Sequence, residues 1–166
     1  MTTVLDFNTA SAMKFGHNSS QALSFAIGAN DFHAFRYWVP DDCLIRRLGL
    51  WAANTTAGTK YVLGIYNDDG TYLQANTKLG QTSEITATTN DRNYKIFDLQ
   101  APVTLVKDQI VWLSFHANAS FTVETAYSNP AAAGQRYRTV TYAATLPATF
   151  GAFTTNAGGW PPIGAF

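Results

Sequence analysis

Charge, cysteine and helical periodicity are what this sequence has least of. Only 13% of its 166 residues are charged, about half the usual share. Lys+Arg and Asp+Glu balance at 11 each, so no global field gathers a polyanion, and neither nucleic acid nor an anionic membrane surface is expected as a partner. Cys43 is the only cysteine, which rules out an intrachain disulfide and a thiolate metal site. Placed after Asp41 and Asp42, its thiol is not activated and reads as a buried or semi-buried side chain. No apolar run approaches the roughly 18 residues of a membrane span. The opening MTTVLDFNTASAMKF lacks the basic and apolar regions of a signal peptide. The expectation is a protein made in a cytoplasm that does not insert into membranes.

Aromatics reach 14% of residues, and Thr, Ala, Asn, Ser and Gly supply most of the remaining polarity. The length suits one domain with one substantial core. Short β-prone runs recur between turn clusters: FHAFRYWV (32–39), CLIRRLGLWAA (43–53), KYVLGIY (60–66), TYLQANTKL (71–79), YKIFDL (94–99), IVWLSFHA (110–117), FTVETAY (121–127) and QRYRTVTYAA (135–144). APVTLVKDQ (101–109) reads as a turn carrying one proline. About eight to ten strands at this spacing, with no helix between them, predict an all-β fold, an antiparallel sandwich or barrel. Residues 1–31 read as an N-terminal arm or first strands, and 32–166 as the single β-sandwich domain.

Two runs break the alternation expected of a sandwich strand with one wet face. IVWLSFHA and YVLGIY are apolar on both sides, which predicts that a second surface is covered, by the termini or by a neighbouring subunit. The tail, TLPATFGAFTTNAGGWPPIGAF (145–166), is rich in Gly and Pro, and carries Phe150, Phe153, Trp160, Ile163 and Phe166. These side chains are costly to leave in water, so the tail is expected to pack on the sandwich or on a partner.

In order, the chain presents FRYWVP, IRRLGLWAANTTAG, YVLGIYNDDG, APVTLVKDQIVWLSFHA and a late TLPATF…WPPIGAF. This order resembles a jelly-roll-like β-sandwich domain of tailed-phage virion proteins, the tail-fibre, receptor-binding and decoration proteins. Its sharpest pieces are Arg47-Leu48-Gly49, Leu63-Gly64-Ile65-Tyr66 and Trp112-Leu113, and the resemblance covers Phe32 to Phe166. Lys107-Asp108-Gln109 replaces the family's glycine turn, and Tyr72 stands where a proline is often found. The matching positions belong to strands and turns, so no binding residue is carried over. The resemblance implies a virion setting, other virion proteins as neighbours and a homotrimer.

Catalytic and metal chemistry find little support in the residues. NDDGTYLQANTK (67–78) alternates Asn67 and Asp69 but ends on Lys78, where a calcium loop of the EF-hand type needs a bidentate Glu. Asp-Gly between strands is hairpin chemistry, because glycine supplies the positive φ. Glycoside hydrolysis needs two carboxylates roughly 5–10 Å apart. Asp41–Asp42 and Asp68–Asp69 are adjacent in sequence, and strand neighbours point to opposite faces. His17, His33 and His116 have no metal-ligand spacing, and no nucleophile elbow is present. No catalytic residue, metal site or cofactor is therefore expected. Arg136 and Arg138 share a strand face and are expected to be solvated. Trp38 and Trp112, in apolar strands, are expected in a core or interface.

What remains is a sugar-binding surface, an aromatic floor with a few placed polar groups. Trp51, Tyr66, Tyr72 and Trp160 adjoin polar loops, and Asn67 and Asp69 flank the hairpin. These six are the candidate glycan-binding residues. The functional expectation is a non-enzymatic phage structural protein, a tail-fibre or spike domain that recognises a host-surface glycan. One alternative is a capsid or tail decoration protein acting only by docking to the virion. A carbohydrate-active enzyme is the second.

Overall fold

The computed structural model describes residues 13–16, 23–54, 56–71, 74–88, 93–125, 135–155 and 163–166. Among them are thirteen strands and no helix: β1 (Phe15–Gly16), β2 (Leu23–Ile27), β3 (Asp31–Trp38), β4 (Cys43–Asn54), β5 (Lys60–Asp68), β6 (Ala75–Gln81), β7 (Ile85–Thr86), β8 (Asn93–Leu105), β9 (Ile110–Ala117), β10 (Phe121–Thr125), β11 (Gln135–Thr139), β12 (Thr154–Thr155) and β13 (Ile163–Ala165). They form two antiparallel sheets. The first runs β1-β13-β4-β10-β2, with β8 also on β4; the second runs β12-β11-β3-β9-β5-β6, with β7 also on β5. Ile45, Leu48 and Leu50 from β4 pack with Phe35 of β3, Leu63 and Ile65 of β5 and Leu113 and Phe115 of β9. This shared apolar layer is the core of a β-sandwich.

One strand departs markedly from its expected bounds, for a local reason. β8 runs on through Ala101, Pro102 and Val103, which had read as a turn. Its pairing with β4 jumps from Ile45↔Val103 to Arg47↔Asp98, and proline is tolerated at such a bulge because its missing N–H breaks no ladder bond. On the other edge of β4, the Arg46 and Arg47 amides both donate to Phe166 O, at 2.7 and 3.1 Å. Phe166 is thus sewn onto β4 at the level where β8 bulges on its other side.

The covered second surface is present, and its cover is the chain itself. All of β9 is buried, as are Tyr61–Tyr66 of β5. On the outer face of the second sheet, Phe32, Ala34, Val62, Tyr66, Ala75 and Trp112 form a second apolar cluster with Leu146 and Phe150. Residues 140–153 have almost no regular structure, yet they cross this face as a strap. Its polar backbone is satisfied mainly from the sheet: Tyr66 Oη donates to Pro147 O at 2.6 Å, Lys78 Nζ to Leu146 O at 2.8 Å, and Leu146 N to Gln81 Oε1 at 2.9 Å. An irregular segment can be buried only with such partners. Arg136 corrects the expectation of a solvated arginine. It is 4% exposed, with its guanidinium 4.7 Å from the Phe153 ring centre and 5.6 Å from that of Trp112. Its Nη1 donates to Gln135 O at 2.8 Å, and the two rings add cation–π contact at this apolar site.

Candidate functional site

The hairpin around Asn67–Gly70 is held together by its own polar groups. Gly70 adopts φ 88°. Asp68 Oδ1 accepts from Gly70 N at 2.8 Å, and Asp69 Oδ1 accepts from Thr71 N at 2.9 Å and from Thr71 Oγ1 at 2.6 Å. The Thr71 bonds hold the Asp69 carboxyl below its ordinary pKa. Asp68 Oδ2 accepts from Trp112 Nε1 at 2.8 Å, and Asn67 Oδ1 from Thr77 N at 2.7 Å. Each of these oxygens closes a turn or braces the strand pair, as Asx-type turns do.

The structure does not gather the four candidate residues it describes, Trp51, Tyr66, Asn67 and Asp69, into one surface. Tyr66 is fully buried, with its ring 5.7 Å from Phe32 and 5.9 Å from Phe150. Burial raises its phenol pKa, with nearby Arg138 acting the other way. The strap over its ring leaves no face for a sugar, so Tyr66 is a cover-binding residue and not a platform. Trp51 lies in the other sheet, half-buried, with its ring 6.1 Å from that of Tyr94. Asn67 and Asp69 serve the hairpin. Tyr72 and Trp160 lie outside the described residues.

Trp38, expected in a core or interface, is not in the core: it is 58% exposed. The signal was its parity: Trp38 shares a strand face with Arg36. Phe32 and Ala34 on that face are covered by the strap, which stops short of Trp38. The indole is nonetheless held. Trp38 Nε1 donates to Asp108 Oδ1 at 3.1 Å, and Asp108 sits at φ 65°, the left-handed region that favours glycine. The 106–109 turn is tied to the chain after Trp38: Val39 N donates to Gln109 O and Asp108 N to Val39 O, both at 2.9 Å, and Lys107 N donates to Asp42 Oδ1 at 2.7 Å.

Next to this cross-linked pair of loops lies an open cleft of about 490 Å³, lined by Met13, Lys14, Pro40 and the Asp41–Leu44 run. Asp41 and Lys107 approach to 3.9 Å, with both side chains largely exposed, a pair that contributes little to stability. The Cys43 thiol is semi-buried and its pKa is raised, first by burial, so it is not a nucleophile in waiting. Leu44, at the start of β4, and Val106, in the turn after β8, are 41% and 57% exposed. This end of the sandwich therefore combines a fixed indole, two further apolar side chains, three aspartates and two lysines. Among the described residues, no group of three or more His, Cys, Asp or Glu is placed to hold a metal ion. No protein-family model matches the chain, and comparison with curated proteins gives no significant match.

Proposed function

We propose that the chain is a non-enzymatic virion module that recognises a host-surface glycan, and that its Trp38 end makes the contact. The observation that carries this reading is the state of Trp38: 58% exposed, yet held in place through its indole N–H by Asp108. An indole fixed with its ring open offers the apolar floor on which the C–H face of a sugar stacks. Asp41, Asp42 and Lys107 are at hand for hydroxyls, and fixing the ring beforehand removes part of the ordering cost of binding. The carboxylates of the Asn67–Gly70 hairpin are engaged in turn bonds, which supports a binding role over hydrolysis. A shallow site of this kind binds weakly alone. Carried as a trimer on a particle, it would gain avidity by orders of magnitude.

The test is adsorption of the purified protein to host cells and to a glycan array. Trp38→Ala is expected to lower binding by about tenfold or more, as removal of a hot-spot aromatic does, with the melting temperature unchanged. Trp51→Ala is expected to leave binding intact. Equal binding by Trp38→Ala and the parent refutes the reading. A second reading, docking to other virion proteins, is favoured by the exposure of Leu44 and Val106 beside Trp38. It predicts binding to particles lacking this protein and none to cells.

A further inference from the structure

We propose that the glycan met at Trp38 is an acidic one, drawn in by a row of arginines, Arg36, Arg136 and Arg138, on the outer face of the second sheet. The proposal rests on the reading of Trp38 as the contact and names the class of the ligand. Register sets the row. Arg138 pairs with Phe32 and Arg136 with Ala34, while Arg36 pairs with Trp112. Phe32, Ala34 and Trp112 all belong to the outer apolar cluster, so the arginines stand on that face. Each is one two-residue step from the next, about 7–8 Å along or across the strands. The following step along β3 is Trp38. The chain as a whole has no net charge, and the row is a local departure from that balance.

Arg138 carries the argument. It is half-buried, with its guanidinium carbon 5.8 Å from the ring centres of both Phe32 and Phe150. Gly151 makes the room: a β-carbon there would lie 2.7 Å from Arg138 Nη1. Among the described residues the Arg138 guanidinium makes no hydrogen bond or ion pair, and its Nε is buried without an acceptor. Ring faces attract the charge but present no lone pair to the in-plane N–H fork. A carboxylate or a sulfate does, with two oxygens. Arg36 is half-buried, and its five donors can serve more than one acceptor. Arg136, buried against Phe153 and Trp112, adds charge beneath the row rather than a contact. Its pKa is lowered, first by burial and then by Arg36, as two guanidiniums on one patch require.

The acids around this patch lie at its margins. Residues 135–155 contain no Asp or Glu. Asp31 has the opposite parity to Arg36 on β3 and accepts from Gly28 N and Thr139 Oγ1, at 3.1 and 2.9 Å. Asp68, on β5, accepts from Trp112 Nε1, and Glu84 pairs with Lys60. Asp108 accepts from Trp38 Nε1, while Asp41 and Asp42 follow the end of β3. An acidic sugar seated on the indole therefore meets positive charge along β3 and β11, where a neutral sugar gains nothing from the row.

The experiment is a glycan array of uronate-bearing, sulfated and neutral oligosaccharides, read at about 50 and about 300 mM NaCl. Acidic glycans are expected to bind about tenfold or more better than neutral ones of equal length, the scale of a hot-spot arginine. The higher salt should weaken the acidic glycans alone. Arg138→Gln and Arg36→Gln are each expected to lower acidic binding by about threefold or more and leave neutral binding unchanged. Lys95→Gln removes the same charge from the first sheet and is expected to change neither. Neutral glycans bound as well as acidic ones, and lost on Trp38→Ala, would overturn the acidic class while the Trp38 contact stands. No glycan bound by the parent overturns both. Equal losses from Lys95→Gln and Arg138→Gln, or a single-stranded oligonucleotide bound as tightly as the acidic glycans, also overturn the proposal. Methyl esterification of the uronate carboxyls needs no variant: the ester is expected to bind about tenfold more weakly to the parent, and equal binding refutes the row.

Discussion

Replacing Gly64 by alanine tests whether the strap is seated as described. A β-carbon built on Gly64 falls 2.3 Å from Leu146 Cδ1, 2.9 Å from Ser114 Oγ and 3.3 Å from Gly80 O. The Gly64 backbone has no positive φ, so the cost of Gly64→Ala is contact, an overpacking loss of about 1–3 kcal/mol. Leu146 is 1% exposed, and Leu146→Ala is expected to cost about 2–5 kcal/mol through lost burial and a cavity. Together the two changes should cost less than their sum by at least about 1 kcal/mol, because the added methyl occupies space the leucine vacates. The Ser114 contact survives in the double variant, which therefore does not return to parent stability. Urea denaturation of the four proteins, with m unchanged, reads the cycle. Costs that add within about 0.5 kcal/mol would mean that Leu146 does not lie on Gly64. The strap would then cover something else, such as a neighbouring subunit.

Two further changes probe separate parts of the molecule. At Asp108, φ 65° penalises a β-carbon, so Asp108→Gly is expected to be more stable than Asp108→Ala by about 1 kcal/mol in chemical denaturation. Both variants lose the bond to Trp38, and equal stability would refute the strain. Tyr37, Tyr61, Tyr66 and Tyr94 have phenol pKa values raised chiefly by burial. Their contribution is complete below the free tyrosine pKa of about 10 and is lost as pH rises above it. Ultraviolet titration should show these phenols ionising together with unfolding, and smooth independent ionisation with the fold intact would contradict their burial.

The strand pattern was legible because it rests on local chemistry. The unbroken apolar runs of β5 and β9 signalled a surface covered on both sides, and both strands are so covered. Which of two candidates did the covering was not legible. A strap without periodicity has no pattern to match against a sheet, and its backbone bonds go to side chains as remote as Gln81, 65 residues from Leu146. Arg136 was misread for the same reason: a charged residue on a strand face looks solvated until Phe153 and Trp112 are seen to enclose it. Trp38 was expected in a core or an interface, and of these the core is excluded: its exposure in the chain is decided by where the strap ends, a tertiary fact. The hairpin at Asn67–Gly70 was readable because each acid accepts the backbone N–H two residues on.

The strap also ties together two motifs that lie far apart in the chain. Leu63-Gly64-Ile65-Tyr66 and Leu146-Pro147 lie some 80 residues apart in sequence, and Tyr66 Oη donates to Pro147 O across a separation of 81. Gly64 leaves the hollow that Leu146 enters, and Tyr66 closes it as a buried wall whose hydroxyl caps the turning strap. A side chain at 64 would expel the leucine, and a phenylalanine at 66 would leave the Pro147 carbonyl without this partner. At a buried site that omission costs about 1–3 kcal/mol. Each motif is therefore a demand placed on the other. The tyrosine that looked like a sugar platform beside an acidic loop is a fastening for the chain's own tail. Beyond the strap the same sheet face emerges at Trp38, the end proposed above to meet a ligand.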